Sequence, residues 1–157
     1  MKAIVFDVFG TIVDWRSSLI HQFRGLEKEL GIDLLSEELA DQWRQLYAPS
    51  MDRVRRGEIP WTVLDELHRE SLVKLFDQQG IALDEATIDR VNHFWHQLDP
   101  WPDVPLGLQR LKEHGIIATL TNGNVSLMVD VARHAKLPWD MIFCAELFLH
   151  YKPDPEV

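Results

Sequence analysis

The sequence predicts an α/β protein, with a doubly wound parallel-sheet core into which an α-helical cap domain is inserted. Three short apolar blocks, each followed by a polar loop, are typical of buried parallel strands. Helical patterns separate the blocks, and a parallel crossover needs a connector of that length. More than a hundred residues of helical character lie between the first two blocks, which indicates the inserted domain.

The core elements follow from these blocks. The predicted strands are Ala3–Phe6, Ile116–Leu120 and Met141–Cys144. Gly10 permits a tight turn after the first strand. A helix from Val104 that ends at Gly115 leads into the second strand, and a helix from Val125 to Ala132 leads to the third. The third strand is followed by a loop that reaches Lys152.

The insertion contains four predicted helices. They span 17–30, Ser36 to Met51, Leu64 to Leu75 and Asp84 to Trp95, and Ser36-Glu37-Glu38-Leu39 resembles a capping box. The predicted domains are therefore a core of residues 1–14 and 99–157 and a cap of residues 15–98. Asp154-Pro155-Glu156 predicts a helix opening. Three strands are few for such a sheet, so we expect an incomplete core whose remaining strands lie beyond Val157.

Composition limits the partners. The chain has 157 residues and a formal net charge of -9, so nucleic acid and anionic membrane surfaces are not expected partners. Its single cysteine, Cys144, forms no internal disulfide, which favours a reducing, cytoplasmic setting. The longest apolar run near the N-terminus is Ala3–Phe6, too short for a signal peptide, and no apolar stretch is long enough to span a bilayer.

Asp7 is the strongest candidate for chemistry. It ends the first strand beside a glycine turn, and ligands of open parallel sheets bind at the carboxyl ends of the strands. Lys152 follows the third strand and is constrained by the prolines at 153 and 155, and a cation there would keep the Asp7 carboxylate ionised. The alternatives are an aspartate that caps its own turn and a solvated surface lysine.

Two further positions suit anions. Thr121 and Asn122 precede a helix, where hydroxyl, amide and backbone N–H groups converge, although simple N-capping by Asn122 or Asn124 explains the same pattern. Arg44 has aromatic neighbours on the second cap helix, which suits a desolvated halide or carboxylate, whereas most helical arginines face solvent. The histidines show no ligand spacing, and no carboxylate matches the pair His93 and His96.

Three segments taken together carry a family resemblance. They are Phe6-Asp7-Val8-Phe9-Gly10-Thr11, Leu120-Thr121-Asn122-Gly123-Asn124 and Tyr151-Lys152-Pro153-Asp154-Pro155. In this order they resemble the first three motifs of the haloacid dehalogenase superfamily, in particular of its type II L-2-haloacid dehalogenases. The resemblance covers nearly the whole chain and includes a Trp-Arg-Gln in the cap.

The resemblance implies hydrolysis of a small halogenated carboxylic acid, without metal or cofactor. Asp7 would displace halide at C2 to form an ester that water then cleaves. By the same resemblance Thr11 steadies the nucleophile, Lys152 sets its charge, Thr121 binds the substrate carboxylate, Arg44 and Asn122 receive the halide, and Phe9 forms an apolar wall. Members of this family often dimerise through the cap, so a homodimer is one expectation.

Two alternatives remain open. Phosphatases of the superfamily carry a second aspartate two residues after the nucleophile, and Phe9 occupies that position here. The fourth motif, which supplies an acid near the hydrolytic water, has no counterpart before Val157, and without it the first strand is left as an open edge. A phosphatase acting on a small phosphomonoester and a catalytically silent binding protein on the same scaffold are therefore the competing hypotheses.

Overall fold

The computed structural model describes residues 2–157 and divides the chain into two compact units. One unit combines the N-terminal segment through Trp15 with Trp95–Val157, and the other is the continuous stretch Arg16–Phe94. The boundaries predicted from the sequence, after residues 14 and 98, lie within a few residues of these. No helix within residues 2–157 has the length and hydropathy that a bilayer crossing requires.

The first unit is built on three parallel strands. They are β1 (Ala3–Phe6), β2 (Ile116–Thr121) and β3 (Met141–Cys144), in the order β1-β2-β3. Ala3 pairs with Ile116, and Ala118 of the middle strand pairs with Met141. The predicted parallel α/β sheet is confirmed. β1 lies at one edge of the described sheet, and half of the Val5 side chain is exposed there.

Helices account for most of the remaining chain. In order they are α1 (Trp15–Leu30), α2 (Ser36–Gln45), α3 (Tyr47–Arg55), α4 (Leu64–Gln78), α5 (Glu85–Asn92), α6 (Val104–Lys112), α7 (Val125–His134) and α8 (Ala145–Phe148), with a 3-10 turn at His93–His96. Gly115 joins α6 to β2, and a Cβ atom at this position would lie 2.6 Å from the backbone oxygen of Lys2. Only glycine therefore allows β2 to start this close to the chain that enters β1.

The helical unit has its own apolar core. Phe23, Leu39, Trp43 and Leu72 are completely buried, and the Phe23 and Trp43 rings lie 5.9 Å apart. The indole N–H of Trp43 donates to the backbone oxygen of His68 at 3.0 Å. This bond satisfies the polar atom of a large side chain that the core has removed from water.

Two predictions about the insertion are wrong. The helix expected from Ser36 to Met51 is two helices that meet at Leu46, because Pro49 has no N–H to donate to the carbonyl of Gln45. Ser36 is also not an N-cap: Glu27 of α1 accepts the backbone N–H groups of Leu34 and Ser36, at 3.2 and 3.1 Å. A distant acid thus replaces the expected local cap.

The segment after β3 also differs from the prediction. Residues 145–148 form the short helix α8 where a loop was expected, and Leu149 ends it with a φ of 56°. Asp154-Pro155-Glu156 does not open a helix. The Asp154 N–H bonds to the Tyr151 oxygen at 2.9 Å and the Val157 N–H bonds to the Asp154 oxygen at 3.2 Å, so these residues form turns.

Candidate active site

The carboxylate of Asp7 is held from both sides. Asp7 directly follows β1, and its Oδ1 atom accepts a hydrogen bond from the Lys152 ammonium at 2.7 Å. The Thr11 hydroxyl donates to Oδ2 at 3.1 Å. The Asp7 side chain is 45% exposed and that of Lys152 is 28% exposed. One donor on each oxygen therefore fixes the orientation of a carboxylate that remains open to small molecules.

Lys152 has an unusually constrained position for a lysine in a loop. Its ammonium also donates to the backbone oxygen of Leu120, near the end of β2, at 2.7 Å. Its backbone N–H donates to the Asn122 side-chain oxygen at 2.7 Å. The preceding residue, Tyr151, is completely buried. The lysine is thus fixed at both its backbone and its charged end.

The turn after β1 delivers Thr11 to Asp7. Gly10 has a φ of 89°, and its N–H bonds to the Val13 oxygen at 3.0 Å. The indole N–H of Trp101 donates to the Gly10 oxygen at 3.1 Å, so a residue from the second segment of this unit supports the turn. The sequence contains Trp101 in a Pro-Trp-Pro segment, but no local pattern connects that segment to this turn.

The end of β2 and the residue after it contribute less directly to the site than the sequence predicts. Thr121 is completely buried, and Asn122 is only 9% exposed. The Thr121 hydroxyl faces the Gly123 N–H at 3.5 Å. The Asn122 oxygen is already used by Lys152. In this structure Asn122 is therefore a support for the lysine, while a direct role of Thr121 or Asn122 in holding substrate stays a prediction.

The anion site expected at the start of α7 already holds a carboxylate of this chain. Glu146 of α8 accepts the backbone N–H of Val125 through Oε2 at 2.7 Å. Asn124 is the N-cap residue but makes no side-chain cap bond, and its amide donates to the Ser126 hydroxyl at 2.9 Å. Glu146 was missed by the sequence analysis, because its partner lies 21 residues earlier in the chain.

The remaining candidates are placed on aromatic surfaces. The Phe9 side chain is 7% exposed, and its ring packs edge-on against Trp95 with the centroids 5.8 Å apart. Arg44 lies on α2 in the helical unit, with its guanidinium carbon 3.9 Å from the ring centroid of Tyr47. This stacking is the aromatic neighbourhood that the sequence indicates for Arg44. Its role as a halide ligand stays a prediction.

One histidine has a partner that the sequence did not reveal. The ring Nδ1 of His96 lies 2.9 Å from Oδ2 of Asp130 on α7, so a carboxylate does face this buried imidazole. A second pair of the same kind joins His134 to Asp99, also at 2.9 Å. Both pairs connect α7 to the segment 96–99 of the same unit.

The chain matches known proteins along its whole length. A profile of haloacid dehalogenase-like hydrolases matches residues 1–157. The chain is 28% identical over 165 residues to (S)-2-haloacid dehalogenase 4A of Burkholderia cepacia and 24% identical over 161 residues to haloacetate dehalogenase H-2 of Moraxella sp. (strain B). It covers 66% and 67% of those proteins, so it spans about two thirds of their length.

Solved structures agree with these relatives. The L-2-haloacid dehalogenase PA0810 is 61% identical with a TM-score of 0.97, and the match covers 99% of this chain and 67% of that one. The defluorinating L-2-haloacid dehalogenase Rha0230 is 38% identical with a TM-score of 0.96, and the match covers 99% of this chain and 65% of that one. The chain therefore belongs to the family of haloacid dehalogenase-like hydrolases.

Proposed function

We propose that the protein hydrolyses short-chain L-2-haloacids to 2-hydroxy acids through an ester of Asp7. The observation that carries the proposal is the Asp7 carboxylate, partly exposed and gripped by Lys152 and Thr11, with Phe9 in place of a second acid two residues later. The names of the relatives, which are dehalogenases of 2-haloacids and haloacetate, support the same chemistry.

The geometry favours Oδ2 as the attacking atom. The ammonium on Oδ1 is tied to the Leu120 oxygen as well, whereas the Thr11 hydroxyl on Oδ2 can rotate aside. Oδ2 forms a bond to C2 of the substrate while the C2–halogen bond breaks, and the halide leaves with the bonding electron pair. Oδ1 then becomes the carbonyl oxygen of the ester, with Lys152 beside it.

Hydrolysis restores the carboxylate. Water adds to the side-chain carbonyl carbon of Asp7, and the negative charge that develops on Oδ1 falls next to the Lys152 ammonium. Collapse expels the 2-hydroxy acid through its C2 oxygen, which takes up one proton from the attacking water. The other proton goes to solvent, so the sum is haloacid plus water giving hydroxy acid, halide and a proton.

Phe9 argues against phosphoryl transfer. An alkoxide leaving group needs a proton donor, whereas halide leaves as a stable anion. The Phe9 ring is nearly buried against Trp95 and offers neither a proton nor a metal ligand. The proposal assigns the substrate carboxylate to Thr121. It assigns the departing halide to Arg44 and Asn122.

The test is halide release from L-2-chloropropionate without added magnesium. We expect release by the wild-type chain and none above background in Asp7→Asn, with a mass adduct at Asp7 as the direct evidence for the ester. Magnesium-dependent phosphate release from p-nitrophenyl phosphate would instead support the phosphatase. An adduct without turnover indicates a stalled enzyme, and binding without any adduct indicates a silent scaffold.

The proposal extends to the setting of the protein. The net charge of -9 supports a protein that binds no nucleic acid, and the single, buried Cys144 fits a reducing cytoplasm. A homodimer is proposed by analogy with the family. Sedimentation equilibrium at two protein concentrations checks the dimer, and a single species of monomer mass at both would contradict it.

A further inference from the structure

Glu146 has no role in the chemistry described so far, yet one oxygen of its carboxylate is bonded to a backbone amide. It lies on α8, the four-residue helix after β3, and is half-buried. Its Oε2 atom accepts the N–H of Val125, the first residue of α7, at 2.7 Å. A carboxylate at this place satisfies an otherwise unpaired amide and complements the positive end of the helix.

A second hydrogen bond joins the same two segments in the opposite direction. The Asn122 side chain, just before α7, accepts the backbone N–H of Lys152 at 2.7 Å. Residues 122–125 and 146–152 are therefore tied at both ends. The bond of Glu146 fixes the beginning of the second segment, and the bond of Asn122 fixes its end, at the lysine that reaches Asp7.

Apolar packing holds the middle of residues 146–152 only in part, through the half-buried Phe148. Leu147 and Leu149 are more than half exposed, and Leu149 has a left-handed backbone. Ala145, just before this stretch, and Tyr151, next to Lys152, are completely buried. Beside this partial apolar anchoring, the two hydrogen bonds help to fix where the backbone of Lys152 lies.

We propose that Glu146 is a positioning residue, which acts through the start of α7 and Asn122 to set where the Lys152 ammonium meets Asp7. The Glu146 carboxylate bonds to the Val125 N–H, whereas the Asp7 carboxylate bonds to Lys152 and Thr11, so Glu146 acts through other residues. The inference rests on the proposed function, since the lysine matters only if Asp7 reacts. The effect of Glu146 on the position of Lys152 can be measured without any reaction.

The variants separate the hydrogen bond from the charge. Glu146→Ala removes the acceptor, whereas Glu146→Gln keeps a side-chain oxygen in reach of the Val125 N–H. Glu113→Ala is the matched control, because it deletes an exposed glutamate from the end of α6 in the same unit. Glu146→Gln also provides a folded comparison if the alanine variant is unstable.

The first measurement is amide hydrogen exchange at Val125 and Lys152. We expect exchange about tenfold faster at both amides in Glu146→Ala, and values near wild type in Glu146→Gln and Glu113→Ala. Unchanged exchange at Lys152 in Glu146→Ala would overturn the inference, whether or not the protein reacts with haloacids.

The second measurement is the rate of ester formation at Asp7 with L-2-chloropropionate. We expect the maximal rate to fall about threefold in Glu146→Ala while half-saturation changes less than twofold, because a misplaced lysine affects the reacting carboxylate rather than substrate capture. Recovery in Glu146→Gln supports the inference, and an unchanged maximal rate overturns it. If the wild-type chain forms no ester, the proposed function is refuted instead. The hydrogen-exchange measurement alone then tests whether Glu146 sets the position of Lys152.

Discussion

The Lys152→Met variant tests how the Lys152 ammonium contributes to each of the two proposed steps at Asp7. Methionine keeps most of the length of the side chain but deletes the ammonium that lies 2.7 Å from Oδ1 of Asp7 and 2.7 Å from the Leu120 oxygen. Two steps of the proposed reaction depend on this group differently. It orients the carboxylate during ester formation, and it faces the oxygen that gains negative charge during ester hydrolysis.

The size of each effect follows from the geometry. Removing one donor from a developing oxyanion typically slows a reaction 10²–10³-fold, about 2.7–4 kcal/mol. Since the Asp7 side chain is 45% exposed, water replaces part of the lost interaction, and we expect the lower limit of about a hundredfold for hydrolysis. Ester formation consumes carboxylate charge instead, so only orientation is lost and a slowing of tenfold or less is expected.

Quenched-flow mass spectrometry measures both steps in one experiment. In Lys152→Met the ester at Asp7 should accumulate, with slow decay and only modestly slower formation. Lys112→Met is a close control, because the Lys112 ammonium also bridges a carboxylate, Asp140, and a backbone oxygen, that of Pro138, at 2.6 and 2.7 Å. Equal decay of the ester in wild type and Lys152→Met would refute the oxyanion argument.

Three further predictions concern the first unit. Gly115→Ala forces a Cβ atom against the backbone and should lower the free energy of unfolding in urea by about 1–3 kcal/mol. Gly107→Ala places its Cβ on α6 with no atom within 4 Å and should raise that free energy by up to about 1 kcal/mol. Equal effects of the two variants would contradict the steric argument. Hydrogen bonds from the Lys112 ammonium and from a β2 backbone N–H hold the pKa of Asp140 below its ordinary value. The stability that this carboxylate contributes is present above its unfolded-state pKa and is lost as pH falls through the lower folded value. In Asp140→Asn the melting temperature should therefore fall less steeply as the pH is lowered. The same fall as in wild type would contradict this prediction. Burial raises the pKa of the Cys144 thiol, so a thiol reagent should react promptly only in denaturant, and rapid native labelling would show that the residue is accessible.

The strands and the meeting of Asp7 with Lys152 are predictable from sequence. Each strand is a short apolar block whose period and flanking turns are local properties, and the carboxyl ends of parallel strands meet at one edge. Asp7 and Lys152 are 145 positions apart in sequence, yet each follows a strand of the same sheet. Topology therefore brings the segment that contains Lys152 to the edge where Asp7 lies, and the hydrogen bonds of the Lys152 backbone and ammonium set the 2.7 Å contact.

The partners that stabilise individual helix ends are not predictable in this way. Glu27 replaces Ser36 at the start of α2, and Glu146 replaces Asn124 at the start of α7, because acids from other helices reach those amides in space. Local sequence favours the nearest serine or asparagine and contains no signal for a remote acid. Thr121 shows the same limit, since neighbouring elements rather than its own segment decide that its hydroxyl is buried.

The pairing of β1 has a consequence for synthesis on the ribosome. Ile4 of β1 lies opposite Ile117 of β2 in the sheet, although the two residues are far apart in the chain. The first strand therefore emerges from the exit tunnel long before its neighbour is translated. At roughly 5–20 residues per second, this delay is on the order of ten seconds. The continuous stretch Arg16–Phe94 is complete earlier and buries its own apolar side chains meanwhile. The apolar residues of β1 therefore stay without their β2 partners until Ile116–Thr121 has been synthesised.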